Sequence, residues 1–459
     1  MKRTLAEHTR SGIGTMDVTK DEEHKGQYLA DLDELPPPPE WLAGLRQAAR
    51  RRFCELEFPH RKMESWRFTD VTPILRTPFR ALTRPSEHGL TRADIADDLF
   101  QESGWSELVF VDGFFAHDLS RIEQQDGLEV RSLLRETMRA GSPLAQHLCR
   151  LQNGSTNVFA ALNSAFLLDG AYVHAAPADH RRNMVHVVFV TTGRNTSIAI
   201  HPRNLIVVEP MSDLMLVESH TYHGQGSPYL NNVVTEIHAG VGSRVDRIKL
   251  VRENPQSFHL SETRVSQAQS SRFASFCFAL EGKIVRDETA VVLEGEGAEC
   301  SLNGLYLGEQ DQLVDTMCSI QHSAPRCSSW IGYKGVLQDK SRGVFLGRIR
   351  VDRHAQQTDS KQLNNNLLLS DRAGVNTRPQ LEIFADDVKC THGATVGPPP
   401  EELMFYFRTR GMSGEMARSM LTYGFAGEIV DKVDVQSLRR RLRGYLLNRY
   451  RPEESGPSP

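Results

Sequence analysis

The 459-residue sequence has no apolar run approaching the ~20 residues that a membrane-spanning helix needs. Its first residues form no apolar signal segment, and acidic residues such as Asp17 and Glu22 argue against a transit peptide. Cysteine is scarce, and the seven cysteines are odd in number and scattered along the chain. This pattern is typical of a protein in a reducing compartment. We therefore expect a protein of the bacterial cytoplasm, with the plastid stroma as the alternative.

Several catalytic and nucleotide-binding signatures are also missing. The chain contains no G-x-x-x-x-G-K-[ST], no G-x-S-x-G and no H-E-x-x-H, and no G-x-G-x-x-G follows a strand. Any ATP hydrolysis must therefore come from another protein. The net charge of −4 offers no basic surface for nucleic acid or for an anionic membrane.

What the sequence has instead is a long series of short apolar segments from Met184 onward, rich in Val, Ile and Leu. Their spacing predicts an all-β sandwich, barrel or solenoid. Hairpin dipeptides are rare between 181 and 397, where Asn-Gly occurs only at Asn303-Gly304, and this favours a solenoid. The triple asparagine Asn364–Asn366 could extend a ladder of stacked amides. Composition alone leaves a sandwich and a parallel β-helix open.

Changes in composition divide the chain into five segments. The polar residues before the prolines at 36–39 predict a disordered or loosely docked tail, and the three prolines at 398–400 end the strand pattern. Three helices are expected after them, over Glu401–Arg410, from a cap at Ser413, and from about Val435. The predicted segments are a disordered tail (1–38), an α-rich domain (39–180), a β core (181–397), a helical module (398–450) and a second tail (451–459).

The most informative run extends from Lys361 to Gly397 and contains Cys390 and His392, two residues apart. On a strand, side chains at i and i+2 point to one face, so the thiol and the imidazole can lie together. These two donors suit zinc, copper or iron, although two ligands do not complete a metal site. The alternative is a buried thiol beside a hydrogen-bonded histidine.

Asp386 and Asp387 support a different hypothesis, a polysaccharide lyase or hydrolase built on a β-helix. Such enzymes need two carboxyl groups aimed across one bond, about 5–9.5 Å apart. Neighbouring residues on a strand face opposite ways, so a turn or bulge would be required. A β-solenoid adaptor without metal chemistry is the third alternative.

The predicted helical module carries an apolar stripe at helical spacing, and a compact module after a closed β domain has few surfaces to pack against. Packing against the end of the β domain accounts for part of this apolar stripe, and a groove of a partner protein is a second use. The candidate partner-binding residues are Phe405, Phe407, Met416, Met420, Leu421 and Phe425.

Two stretches resemble the SufB/SufD family of iron–sulfur cluster assembly proteins. The first is the run KQLNNNLLLSDRAGVNTRPQLEIFADDVKCTHGATVG from Lys361 to Gly397, and the second is FPHRKMESWRFTDVTPIL from Phe58 to Leu75, which contains Trp66. The resemblance extends over about residues 58–75 and 200–433. Tyr333-Lys334-Gly335 and the string from Val388 to Gly393 resemble the SufD branch rather than the SufB branch.

This resemblance implies a right-handed parallel β-helix and a non-enzymatic scaffold subunit. It implies pairing with a SufB-like paralogue through the last coils, and docking of the ABC-type ATPase SufC on the helical module, with SufC hydrolysing the ATP. His392 corresponds to the family's interface histidine, with Cys390 beside it, and a SufB cysteine would be the main thiolate. No permanent cofactor is expected. Iron or a nascent cluster would be held transiently, a flavin is an optional component of the complex, and a cysteine desulfurase would supply sulfur indirectly.

Overall fold

The computed structural model describes residues 18–100, 102–139, 142–152, 156–178 and 182–451. In these residues the helices are α1 Val18–Asp33, α2 Glu40–Glu55, α3 Thr72–Arg76, α4 Leu133–Thr137, α5 Leu144–His147, α6 Val158–Phe166, α7 Glu401–Thr409, α8 Gly414–Val430 and α9 Gln436–Arg449. The strands before residue 240 are β1 Arg80–Ala81, β2 Ser106–Val111, β3 Phe114–Phe115, β4 Leu128–Ser132, β5 Ala171–Ala175, β6 Asn183–Thr192, β7 Ile198–Ile200, β8 Arg203–Val208, β9 Asp213–His223 and β10 Leu230–Ala239. The later strands are β11 Arg244–Arg252, β12 Phe258–Gln267, β13 Arg272–Glu281, β14 Ile284–Leu293, β15 Glu299–Gly308, β16 Leu313–His322, β17 Ser328–Leu337, β18 Arg342–Val351, β19 Thr358–Leu368, β20 Gly374–Ile383 and β21 Val388–Gly397.

The strands form a parallel β-solenoid of about seven turns. Odd-numbered strands from β9 to β21 follow one another in one sheet, and even-numbered strands from β8 to β20 follow one another in the other. Each coil therefore adds one strand to each sheet, and Asp359 lies opposite Ser328 on one side and Lys389 on the other. This pairing confirms the predicted parallel β-helix and excludes the sandwich.

Alternation along the strands separates the interior from the surface. On β19, Ser360, Gln362 and Asn364 are buried inside the solenoid, whereas Lys361 between them is exposed. A strand with one solvated face shows this period of two. Strands such as β2 are buried at every residue, because helices and loops cover their outer face as well. That second layer explains the continuous apolar runs in the sequence.

Two expectations need correction, one about a hairpin turn and one about a ladder of stacked asparagines. Asn303-Gly304 is not a hairpin turn, because it lies within β15. The missing side chain of Gly304 makes room for a ring, since a Cβ there would lie 2.1 Å from Tyr333. The asparagine ladder is also wrong. Asn366 donates to Asn364 of its own strand at 2.7 Å, and the neighbouring strand presents no asparagine to either residue.

The predicted amino-terminal tail is wrong for the part that the structure describes. Val18–Asp33 forms a helix, whose Tyr28 and Leu32 are buried against the rest of the chain. Residues 1–17 and 452–459 lie outside the described residues. The predicted α-rich segment also contributes β2, β4 and β5 to the two sheets. In that segment Trp66 is buried in a core cluster, with the Arg286 guanidinium 3.8 Å from its ring centre.

The three helices after the solenoid match the predicted pattern. The Ser413 side chain accepts a hydrogen bond from the backbone of Met416, and Gly411 ends the preceding helix with a φ of +84°. The second and third helices pack on the sheet that contains β15 and β17, in a cluster with Leu305 and Val336. The helical module therefore lies on the side of the solenoid and leaves its last coil uncovered.

Candidate functional site

The site predicted at Cys390 and His392 lies on β21, the terminal strand of its sheet. Within the described residues, β21 pairs with β19 alone and β20 pairs with β18 alone. Each of these strands therefore has one edge whose backbone groups make no ladder hydrogen bonds. Such an edge is a template for pairing with another chain.

Cys390 and His392 share the interior-facing side of β21. Cys390 lies opposite Ser360 and His392 opposite Gln362, and both of these partners point into the solenoid. Cys390 is half-buried and packs against the core, whereas His392 is exposed. The His392 imidazole is therefore accessible to a neighbouring molecule, whereas the Cys390 thiol is partly covered by the core.

The Cys390 thiol is in its protonated form when no cation is near. Partial burial, with the Asp359 carboxylate adding to it, raises the pKa of this thiol. A thiolate is the form that binds metal, so a cation must displace the proton for Cys390 to act as a ligand.

A complete metal site does not exist at this position on the chain alone. Within the described residues, no third histidine, cysteine or carboxylate joins Cys390 and His392 in a group whose ligand atoms lie within 4.8 Å of one another. Tetrahedral zinc and cluster iron need more donors than these two. Within the described residues, Cys390 and His392 therefore do not supply the donor set of either kind of site.

Gln362 is a residue of this site that the sequence did not indicate. It is buried directly behind His392, yet neither its amide nitrogen nor its amide oxygen has a hydrogen-bond partner. Its side chain extends over Gly347 of the opposite sheet, where a Cβ would lie 2.2 Å from the amide nitrogen. Unpaired buried amides are costly, so these atoms are suited to a ligand or water entering at the open end. The glycine within a strand was the available signal.

The amino-terminal region supports the last coil. Arg378 on β20 donates to the Glu64 side chain at 2.7 Å, and Gln380 donates to the same carboxylate at 3.2 Å. The Arg378 hydrogen bond lowers the pKa of Glu64, which stays ionised. Glu64 belongs to the stretch that carried the second resemblance, and its position explains how that distant element orients the terminal strands.

The candidate partner-binding residues of the helical module divide into exposed and covered side chains. Phe405 is 67% exposed, and Met416 and Met420 are also exposed. Phe407 and Leu421 are half-buried. Phe425 packs towards the solenoid, with the Lys334 ammonium 4.3 Å from its ring centre. The exposed apolar surface therefore lies on α7 and the first half of α8.

Asp386 and Asp387 lie in the bend between β20 and β21, and both are exposed. The Asp387 backbone amide donates to Gln356 at 2.9 Å, as expected for a turn. Neither carboxylate lines the cavity of about 390 Å³ between the sheet and the turn after α8, which is bordered by Trp330 and Lys432. No observation supports a carbohydrate-cleaving pair at this position.

In the described part of the chain, no helix is long and apolar enough to cross a membrane.

Comparisons with known proteins agree with this architecture. Residues 189–425 match the family model described as SUF system FeS cluster assembly, SufBD core domain, and residues 38–185 match the SufBD protein N-terminal region. An iron–sulfur cluster assembly SufBD family protein of Synechocystis is 32% identical over 88% of this chain and 90% of its own length. The iron–sulfur cluster assembly protein SufD of Escherichia coli is 30% identical, over 84% and 87%. The SufD protein of Bacillus subtilis is 23% identical, over 91% and 95%.

Proposed function

Since the chain belongs to the SufBD family of iron–sulfur cluster assembly proteins, we propose that it is a non-enzymatic scaffold subunit of a Suf assembly complex. In this proposal it pairs with a SufB-like paralogue and carries a SufC-type ABC ATPase. The observation that carries the proposal is the exposed His392 beside a half-buried Cys390 on a strand with an open edge.

Pairing with the paralogue uses the last coil. Strands β20 and β21 each present ten residues whose outer backbone groups lack a strand partner in the described chain. Apolar side chains are exposed on the same coil, where Ile383 is 39%, Phe384 56% and Val396 44% exposed. An exposed edge with apolar residues beside it is prone to add another strand. A paralogue with the same fold would continue both sheets.

Iron or a nascent cluster is held at this junction in transit. His392 offers an imidazole and Cys390 a thiol, and the paralogue supplies a cysteine thiolate and the remaining donors. Binding of the metal ionises the Cys390 thiol, whose pKa is otherwise raised by burial. Because the ligands are divided between two chains, a movement of the interface opens or closes the site.

The helical module carries the ATPase. Phe405, Met416 and Met420 are exposed on adjoining helices, and clustered exposed apolar residues mark an interaction surface. ATP hydrolysis takes place in the SufC-type partner, and a cysteine desulfurase supplies sulfur to the complex. This chain positions its partners and supplies two of the ligands.

The first experiment tests the complex. Co-expression with the SufB-like and SufC-type proteins of the same source should yield a stable three-component complex by size-exclusion chromatography. The double variant Phe405→Ser, Met416→Ser should lose the ATPase and keep the paralogue. The exposed Leu447→Ser on α9 is a matched control that should keep both. A chain that binds neither protein would contradict the proposal.

The second experiment tests the ligands within that complex. His392→Ala and Cys390→Ala should reduce reconstituted iron and sulfide severalfold while the subunits remain associated. His60→Ala and Cys54→Ala replace residues of the amino-terminal region, outside the solenoid strands, and should leave loading unchanged. Unchanged loading in the His392 variant, with the complex intact, would remove the role assigned to this residue.

A further inference from the structure

Two histidines and a glutamate meet inside the solenoid, at the corner where the chain passes from one sheet to the other. His220 lies near the end of β9, Glu253 follows β11 directly, and His259 is the second residue of β12. All three are buried, and one ligand atom from each lies within 4.8 Å of the other two. The His220 ring stacks on core residue Phe189 at 4.8 Å, so one side of the group borders the apolar core.

The group has the surrounding contacts that metal ligands usually have. Nε2 of His220 lies 2.8 Å from the Glu218 carboxylate. Histidines bound to metal commonly donate their second ring N–H to a carboxylate, which fixes the ring. The other nitrogen of His220, Nδ1, lies 3.5 Å from the Asn231 side-chain nitrogen, a long contact that an ion would replace. Glu253 accepts hydrogen bonds from the Tyr229 hydroxyl at 2.6 Å and from the Asn231 amide at 3.2 Å. Its carboxylate is therefore held in one orientation.

Glu253 also differs from the buried carboxylates near it. Two of those are paired with Arg247 at 2.7 Å and with Lys249 at 2.8 Å. In the described part of the chain, the one ion-pair contact of Glu253 is the His259 ring at 2.8 Å. Glu253 thus has no direct ion pair with a lysine or arginine in the described residues, although Lys249 and Arg247 lie near the group on the carboxylates that they pair with.

Unpaired polar atoms lie in the same place. The side-chain oxygen of Asn231, whose nitrogen donates to Glu253, is buried and has no hydrogen-bond partner. Nε2 of His259, on the side of the ring away from Glu253, is also buried without a partner. Most buried polar groups are paired, and exceptions call for a specific explanation. Two imidazoles and a carboxylate are a known ligand set for zinc.

We propose that His220, Glu253 and His259 bind a divalent transition-metal ion of the zinc type inside the solenoid. This site is separate from Cys390 and His392, and it holds the corner of adjacent coils together. The ion replaces the proton between Glu253 and His259, which are 2.8 Å apart. Ligand atoms of a tetrahedral zinc ion lie about 3.3 Å apart, so the two groups must separate by about half an ångström.

Burial predicts how the ion enters and leaves. Each of the three side chains is at most 1% exposed, so the ion reaches the site while the coils are forming. Metal binding and folding are coupled in sites of this kind. Once bound, the ion should resist removal by chelators, whereas iron at the exposed terminal site should be removed readily.

The test uses the full chain carrying Cys390→Ala and His392→Ala, which removes the terminal ligands and separates this proposal from the proposed function. The protein is refolded with Co²⁺ and dialysed against a chelator. We expect close to one cobalt ion per chain, with the visible absorption of a four-coordinate ion. Glu253→Gln keeps the shape of the side chain and should lose the ion. His186→Gln replaces another buried histidine with an unpaired ring nitrogen and should retain it.

Absence of chelator-resistant cobalt in the refolded protein would overturn the proposal, as would full retention in Glu253→Gln. If Glu253→Gln does not fold, X-ray absorption of the cobalt-loaded parent decides the question. A first shell with two imidazoles and a carboxylate supports the site. A shell of six water-like oxygens, or one containing sulfur, refutes it.

Discussion

The lysine of Tyr333-Lys334-Gly335 fixes the helical module to the solenoid, and its removal should release that module. Lys334 lies on β17, and its ammonium donates to the backbone carbonyl of Phe425 on α8 at 3.1 Å. The same ammonium lies over the Phe425 ring and contacts Glu428 at 2.6 Å. We consider Lys334→Met, which keeps the buried aliphatic stem and removes the charge.

The magnitude follows from the exposure of each partner. A hydrogen bond from a charged donor contributes about 1.5–3 kcal/mol, and a cation–π contact contributes about 0.5–2 kcal/mol. The ion pair adds little, because the Glu428 side chain is 69% exposed and screened by water. Part of this gain is offset by the cost of desolvating the Lys334 ammonium. A net loss of about 2 kcal/mol corresponds to about a 30-fold increase in the undocked population of α8.

Hydrogen exchange measured by mass spectrometry tests this expectation. Amides of α8 around Ala426 and Val430 should exchange about 30-fold faster in Lys334→Met, while those of β19 keep their protection. Lys432→Met changes an exposed lysine in the turn after α8 and serves as the control. Unchanged exchange in α8, or an equal increase in β19, would refute the argument that Lys334 acts as a local anchor.

Two further predictions concern stability. Arg203 and Glu236 form a fully buried ion pair at 2.9 Å, so Arg203→Met should lower the free energy of unfolding in urea by about 3–5 kcal/mol. The double variant Arg203→Met, Glu236→Gln removes both charges and keeps an acceptor for the backbone amides of Cys149 and Leu151, so it should recover part of this loss. A double variant as unstable as the single one would contradict the explanation. Burial lowers the pKa of His201 to about 3, so the unfolded chain binds a proton there at higher pH than the folded chain does. The free energy of unfolding should therefore decrease as the pH is lowered from about 6.5. His201→Gln should reduce the slope of this free energy against pH by about 1.4 kcal/mol per pH unit. Parallel pH profiles of the variant and the parent protein would contradict this assignment.

The sequence predicts the strands well and their pairing less well, for a physical reason. A sandwich and a solenoid both place alternate residues inside, so the periodicity of β19 is the same in either fold. What separates them is register, such as Asp359 opposite Ser328, and these residues are about 30 positions apart. Local propensity does not contain that information. Helix α1 shows a different failure. The polar composition of Val18–Asp33 predicts a tail, but this segment forms a helix because Tyr28 and Leu32 are buried against the rest of the chain.

The terminal site could be predicted only in part from its residues. The shared face of Cys390 and His392 follows from their spacing of two. Gln362 is placed behind His392 by the preceding coil, and the spacing of Cys390 and His392 contains no information about that contact. Phe425 and Met416 belong to the apolar stripe of one helix. Phe425 packs against the sheet, whereas Met416 is exposed to solvent. Helical periodicity indicates that a stripe exists and does not indicate which part is covered.

The geometry of a solenoid explains why, within the described residues, three donor side chains meet in the interior and only two lie together on the terminal strand. A single strand offers alternate residues to one face, so three ligands around an ion require at least two neighbouring segments. His220, Glu253 and His259 come from three segments, with coils on both sides. His392 has a neighbouring strand on one side only, and that strand presents Gln362, whose amide is a weak metal ligand. Under the two proposals made above, the interior group would hold its ion permanently, whereas the terminal pair would depend on an added strand and would release its cargo when that strand moves.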